Sequence, residues 1–212
     1  MVVIKADAYG HGDSQIAKIL EDNGVKIFAV SNIDEAVGLR NSGITGEILI
    51  LGYSSPIYAK TLSYLDLTQA IVSEDYADAL SKTGYRIKCH FAIDTGMNRI
   101  GLRSNDPKEA SAIIHKYSKK LNITGVFTHL CVADTSDEES VNFTNQQLKC
   151  FKSVVDNVSD LNLLFIHCYN SAGGLNYLKD DIFNQSIGNI VRLGIILYGL
   201  KPDGLISTTK RN

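Results

Sequence analysis

The sequence predicts an α/β fold, a (β/α)8 barrel of parallel strands with an incomplete outer ring of helices. Three observations predict it. Short apolar runs recur along the 212 residues. They are strand-length and not strictly alternating, as expected of parallel strands covered on both faces. The stretches between them carry helical periodicity or helix caps, so strands and helices alternate. A doubly wound open sheet is the alternative, but the glycine-rich dinucleotide loop usual after its first strand is missing.

The elements follow in order. Val2–Ile4 is the first run, and Ser14–Asn23 the helix after it, with Ile16, Ile19 and Leu20 on one face. Ile27–Val30 is the second run. Asn32-Ile33-Asp34-Glu35 then opens a helix with a cap and an acidic first turn. Ile48–Leu51, Ala70–Val72 and Ile87–Ile93 are the third to fifth runs; Pro56 and Pro107 sit where first-turn prolines are tolerated. Ile123–Thr128 is the sixth. Ser136, followed three residues later by Glu139, reads as a capping box ahead of a long helix to about Asn157. Leu163–Cys168 and Ile190–Leu197 complete the eight.

After the eighth run, Lys201-Pro202-Asp203-Gly204 leads into a polar tail ending at Asn212. The organisation therefore reads as a barrel over 1–200 and a tail over 201–212, with no eighth helix. A barrel short of one helix carries an apolar groove on its side. The chain reads as part of something larger, or as needing a partner to cover that groove.

Composition narrows the function classes. The chain is 44% hydrophobic and 21% charged, ordinary for a globular protein. Lys plus Arg is 21 against 23 Asp plus Glu, a net charge of −2, which gives no electrostatic reason to expect nucleic-acid binding. No apolar run approaches the roughly 18–20 residues of a membrane span. Met1-Val2-Val3-Ile4 meets Lys5 and Asp7, so no signal peptide is read and a cytoplasmic location is expected. Cys89, Cys131, Cys150 and Cys168 form no CxxC pair. They are expected to be reduced and mostly buried, and no metal site is expected.

Barrel active sites lie at the C-terminal strand ends. Those ends carry Lys5, then Asp94-Thr95-Gly96-Met97-Asn98-Arg99, Thr128-His129, His167-Cys168-Tyr169-Asn170-Ser171, and Arg192-Leu193-Gly194 running on to Tyr198. A lysine ending an apolar strand is costly to bury unless paired or used chemically. Burial lowers an ammonium pKa, which suits Schiff-base formation with an aldehyde. Arginines, a histidine, a tyrosine and a serine around it fit an anionic aromatic aldehyde such as pyridoxal 5′-phosphate. Taken singly, each residue has a blander and commoner reading: Lys5 as a snorkelling or salt-bridged lysine, His129 as a core histidine, Arg99 as a surface residue, Ser171 as a helix cap. Their convergence on one barrel face favours the cofactor.

The segment Val3-Ile4-Lys5-Ala6-Asp7-Ala8-Tyr9-Gly10-His11-Gly12 resembles the cofactor-lysine signature of the alanine racemase family. Ile93-Asp94-Thr95-Gly96-Met97-Asn98-Arg99-Ile100-Gly101, Thr128-His129 with Ala133-Asp134, Asn170-Ser171-Ala172, and Val191-Arg192-Leu193-Gly194-Ile195 with Tyr198-Gly199 are similar to its later motifs, in the same order. The resemblance implies a pyridoxal-phosphate-dependent racemase barrel interconverting L- and D-alanine for cell-wall supply. Lys5 would carry the cofactor and exchange the α-proton on one face. Arg99, His129 and Arg192 would join it as catalytic residues. Tyr9, Ser171, Gly194, Ile195 and Tyr198 would hold the cofactor, Ser171 and the backbone amides at its phosphate. Arg192, facing the pyridine nitrogen, cannot readily give up a proton. It would leave the ring a weaker electron sink and favour proton exchange over transamination.

Three departures from the family pattern stand out. A lysine often found two residues before the aspartate of the Asp-Thr-Gly-Met motif, modified there to a carbamate, is Ala92 here, so another group or an anion must orient Arg99. The usual proline after the ring-nitrogen arginine is Leu193. The family's C-terminal β-rich domain, with the tyrosine base for the opposite face across a homodimer interface, has no counterpart here. The chain is therefore expected to bind the cofactor but to racemise alanine poorly by itself. A serine or serine/alanine racemase is the alternative within the family. A non-catalytic pyridoxal-phosphate carrier is the alternative of another class.

Overall fold

The computed structural model describes residues 1–103, 106–178 and 187–202. Its strands are β1 (Val2–Val3), β2 (Ile27–Val30), β3 (Glu47–Ile50), β4 (Thr68–Ile71), β5 (Lys88–Asp94), β6 (Leu102–Arg103), β7 (Asn122–Phe127) and β8 (Phe165–His167). All pairings are parallel, in the order β1-β2-β3-β4-β5-β7-β8. The two-residue β6 pairs only with the end of β5 and is too short to leave a periodic signal in the sequence.

Ile190–Leu197 is not a strand, contrary to expectation. Leu193 makes one isolated parallel bridge to Val2, and Ile195–Tyr198 winds into a 3-10 helix. The reason lies in how this segment closes the barrel. The Asn189 side chain takes the Ile166 N–H at 3.0 Å, where a strand would present backbone, and Asn189 N–H donates to Ile166 O at 3.0 Å. Arg192 N–H donates to Tyr169 O at 2.9 Å, Leu193 N–H to Met1 O at 2.9 Å, and Val3 N–H to Leu193 O at 2.7 Å. Scattered single bonds thus join β8 to β1.

Helices cover the outside at Asp13–Asp22, Ile33–Asn41, Ala59–Tyr64, Glu74–Ser81, Pro107–Ser118, Glu138–Asn157 and Ser171–Asn176. Asn32 caps its helix as read from sequence, accepting from Glu35 N–H. The long helix is capped by Asp137, not Ser136: Asp137 Oδ1 accepts from Ser140 N–H at 2.8 Å. A carboxylate there also meets the positive end of the helix dipole. Among the described residues no helix follows Tyr198; most of the expected polar tail lies outside them.

Side chains alternate across the strands. Phe28, Ile48, Phe91 and Val126 pack outward under the helices. Val3, Ala29 and Leu49, and Ala70, Ala92 and Phe127, form two small clusters on the opposite side. All four cysteines are free; Cys89 and Cys168 are buried, Cys131 and Cys150 half-buried. No described helix is long and apolar enough to cross a membrane.

Candidate active site

Lys5 lies two residues beyond β1, half-buried, and begins an unusual turn. Ala6, Asp7, Ala8 and Tyr9 all lie in the left-handed region, with φ between 51° and 55°. For L-residues that costs roughly 1–2 kcal/mol each, so the turn must be held from outside. Inside it, Ala8 N–H donates to Ile4 O at 3.0 Å and Gly12 N–H to Asp7 O at 3.0 Å. Asp7 Oδ1 accepts from Asp13 N–H at 2.9 Å. The turn directs Tyr9 towards Gly194, where a Cβ would stand 2.6 Å from the Tyr9 hydroxyl. Tyr198 packs on Tyr9 and stacks on His11 at 4.5 Å, its own hydroxyl buried without a hydrogen-bond partner among the described residues.

Arg192 is 3% exposed, and no ion pair joins it to a carboxylate among the described residues. Acceptors surround it instead. Nη1 donates to His167 Nδ1 at 2.8 Å and His167 O at 2.9 Å. Nη2 donates to Thr128 O at 2.7 Å, Cys168 O at 3.2 Å and His129 Nδ1 at 3.4 Å. Burial pulls its pKa down to about 10, so it stays charged at neutral pH. That donation fixes the histidine tautomers. His167, accepting at Nδ1, carries its proton on Nε2 and donates to His90 Nδ1 at 3.0 Å. The His90 Nε2–H is then left buried without an acceptor among the described residues. Burial, then nearby positive charge, lowers all three imidazole pKa values, to about 3 for His90 and His129 and well below the usual range for His167.

The sequence makes room for this chain of rings. The β5–β7 register shifts between Cys89 and His90, which sets Gly125 opposite His90. A Cβ on Gly125 would stand 2.8 Å from the His90 ring and 2.6 Å from Phe165 O.

Lys5, Tyr9, Arg99, His129, Ser171, Arg192, Gly194 and Ile195 line one cavity of about 610 Å³ at the C-terminal strand ends. Tyr198 stands behind Tyr9 and is outside that lining. Ser171 is buried, and its hydroxyl accepts from Gly194 N–H at 3.0 Å. It is not the helix cap; Asn170 is, accepting from Gly173 N–H at 2.8 Å. Arg99 is exposed at the mouth. Its loop is tied by Asp94, whose Oδ1 accepts from Gly96 N–H at 3.1 Å and Asn98 N–H at 2.9 Å. Asp94 thus shapes the Arg99 loop where Ala92 offers no polar group.

Several contributors escaped the sequence reading. Gln147, buried on the long helix, accepts from Cys131 N–H at 3.2 Å and donates to Thr95 Oγ1 and His129 O, both at 3.1 Å. It ties the loops after β5 and β7 together. The motifs assign no role to His90 or His167; a histidine within an otherwise apolar run, as in Cys89-His90-Phe91, is the signal the sequence carries. Lys5, Arg99 and Arg192 against Asp94 and Asp134 leave the lining with an excess of positive charge. That arrangement suits an anionic small molecule.

Fold and cavity together define a parallel barrel with a cationic cavity at its C-terminal strand ends. The chain belongs to the alanine racemase family: the family described as "Alanine racemase, N-terminal domain" matches residues 1–202. It is 41% identical over 202 residues to an amino-acid racemase of Enterococcus faecalis, covering 94% of this chain and 27% of that protein. It is 38% identical over 213 residues to a serine/alanine racemase of Enterococcus gallinarum, covering 100% of this chain and 29% of that one. Alanine racemase of Clostridium difficile 630 superposes with a TM-score of 0.84 at 33% identity, covering 95% of this chain and 52% of that structure. The chain therefore spans between about a quarter and half the length of these relatives.

Proposed function

We propose that this chain is the cofactor-binding barrel of a pyridoxal-phosphate-dependent amino-acid racemase, with alanine the leading substrate. The observation that carries the reading is the convergence of Lys5, Tyr9, Ser171, Arg192 and Gly194 on one cationic cavity. The residues fit the cofactor. The absence of a Cβ at Gly194 admits the Tyr9 hydroxyl against its backbone, and a tyrosine, a serine and backbone amides there could supply donors for a phosphate. When bound, the group supplies an electron sink that acidifies the α-hydrogen of an amino acid.

The chain's own residues do the rest. The Lys5 amine would hold the group and would carry a proton on one face of the substrate. With both Nη atoms engaged, Arg192 has Nε–H as its donor without an acceptor among the described residues. A guanidinium there would hold a ring nitrogen by hydrogen bond without giving up its proton. His129 stays neutral and supports Arg192; Arg99 meets the substrate carboxylate. The base for the opposite face is a residue outside these 212, within a homodimer, so the chain alone turns over far more slowly than a complete racemase. The setting is cytoplasmic. A serine/alanine racemase is the second reading, favoured by the likeness to the Enterococcus gallinarum protein.

The test is a visible spectrum with added pyridoxal phosphate, then borohydride reduction and peptide mapping. The expected result is an absorption band and a reduced adduct on Lys5, both lost in Lys5→Ala. No band, or adducts scattered over surface lysines, overturns the reading. A bound cofactor with no racemisation, even when the C-terminal part of a related racemase is supplied in trans, favours a carrier.

A further inference from the structure

Glu35 is the third residue of the helix Ile33–Asn41, the position from which a glutamate ordinarily folds back to the cap residue's own N–H. It does not do so here. Oε1 accepts from Ala6 N–H at 2.8 Å and Oε2 from Ser31 N–H at 2.6 Å. One carboxylate therefore straddles the chain just beyond the C-terminal ends of β1 and β2. Helix capping falls to Asn32, which accepts from Glu35 N–H at 3.0 Å.

Ala6 is the first of the four left-handed residues and directly follows Lys5. Four such residues in a row are unfavourable unless the surroundings over-determine them. A charged acceptor on the first N–H makes a hydrogen bond about twice as strong as a neutral one. We infer that Glu35 is a positioning residue that locks the left-handed turn and thereby aims the Lys5 side chain into the cavity. Its consequence for the cofactor rests on the function proposed above; its consequence for the turn does not.

The experiment compares the intact protein with Glu35→Ala, Glu35→Gln and the double variant Glu35→Ala with Ala6→Gly. Glutamine has one acceptor oxygen and would turn a donor towards one of the two N–H groups. Ala6 is exposed, so glycine there opens no cavity, and glycine adopts positive φ without the Cβ penalty. The first readout is amide hydrogen exchange over residues 5–12 in cofactor-free protein. The second is the yield of borohydride-trapped adduct on Lys5 at subsaturating pyridoxal phosphate.

Glu35→Ala and Glu35→Gln are expected to speed exchange at Ala8 and Gly12 at least tenfold and to cut the Lys5 yield at least fivefold. Adding Ala6→Gly is expected to restore most of both. A simple loss of helix stability would not be repaired by a glycine at position 6. Exchange unchanged in the single variants, or a loss that Ala6→Gly leaves unrepaired, overturns the inference. Failure of the unmodified protein to trap cofactor on Lys5 overturns the proposed function instead, and the exchange experiment still decides the role of Glu35.

Discussion

Consider the cofactor-free protein taken from pH 7.5 to pH 5.5. His90 and His167 are buried and His129 is half-buried; all three are neutral, with pKa values of about 3 for His90 and His129 and well below the usual range for His167. On unfolding each returns to its ordinary value of 6.5. Between the two values the unfolded chain binds protons that the native chain refuses, so stability falls as pH falls. At pH 5.5 an unfolded imidazole is about ten-elevenths protonated, which favours unfolding by about 1.4 kcal/mol per residue. Three independent sites give about 4 kcal/mol, a large part of a typical 5–15 kcal/mol.

Carboxylates titrate too low to contribute much in this window. His115, whose pKa is raised by Ser111 O and then Asp160, works in the opposite direction, but it is mostly solvated and screened. The assay is urea unfolding at pH 7.5, 6.5 and 5.5. With a slope of about 2 kcal/mol per molar, the midpoint should drop by about 2 M. His90→Asn keeps an acceptor for His167 and removes one titrating site, so the pH-dependent part should shrink by about a third. A midpoint that holds or rises on acidification would refute the reasoning, because it would mean that the buried imidazoles are not kept neutral.

Two further expectations follow from packing. Gly125→Ala drives a Cβ into the His90 ring and Phe165 O; it should cost about 1–3 kcal/mol, read as a lowered thermal midpoint, and an unchanged midpoint would show that the ring has room to move. Gln147→Leu leaves Cys131 N–H and His129 O without their side-chain partner; it should destabilise by about 2 kcal/mol in urea unfolding and lower the Lys5 trapping yield, whereas wild-type values in both would remove Gln147 from the site.

Much of the fold was legible because local patterning carries it. Each of the first seven apolar runs overlaps a strand, since burial on both faces demands continuous apolar residues. The eighth failed because Asn189 and Arg192 bond to the chain around β8 and Leu193 to the chain around β1, by single bonds and not as a ladder, a demand invisible to periodicity. The long-helix cap slipped by one residue because Ser136 and Asp137 are both good caps, and only docking selects between them. In the cavity, the site residues named from the motifs all line it apart from Tyr198, which lies behind Tyr9, whereas Ser31, Leu51 and Gly52 also line it and belong to no motif.

The sequence by itself determined the alternation of strands and helices, and with it the strand ends beyond which Lys5, Arg99 and His129 lie. Only the tertiary structure decided which groups would hold them. Glu35 reaches Ala6 across 29 positions, His90 reaches His167 across 77, and Arg192 reaches Thr128 across 64. A hydrogen bond needs its partners within about 3 Å and correctly directed. For residues so far apart in sequence, that condition is set by the closing of the barrel and not by any local spacing.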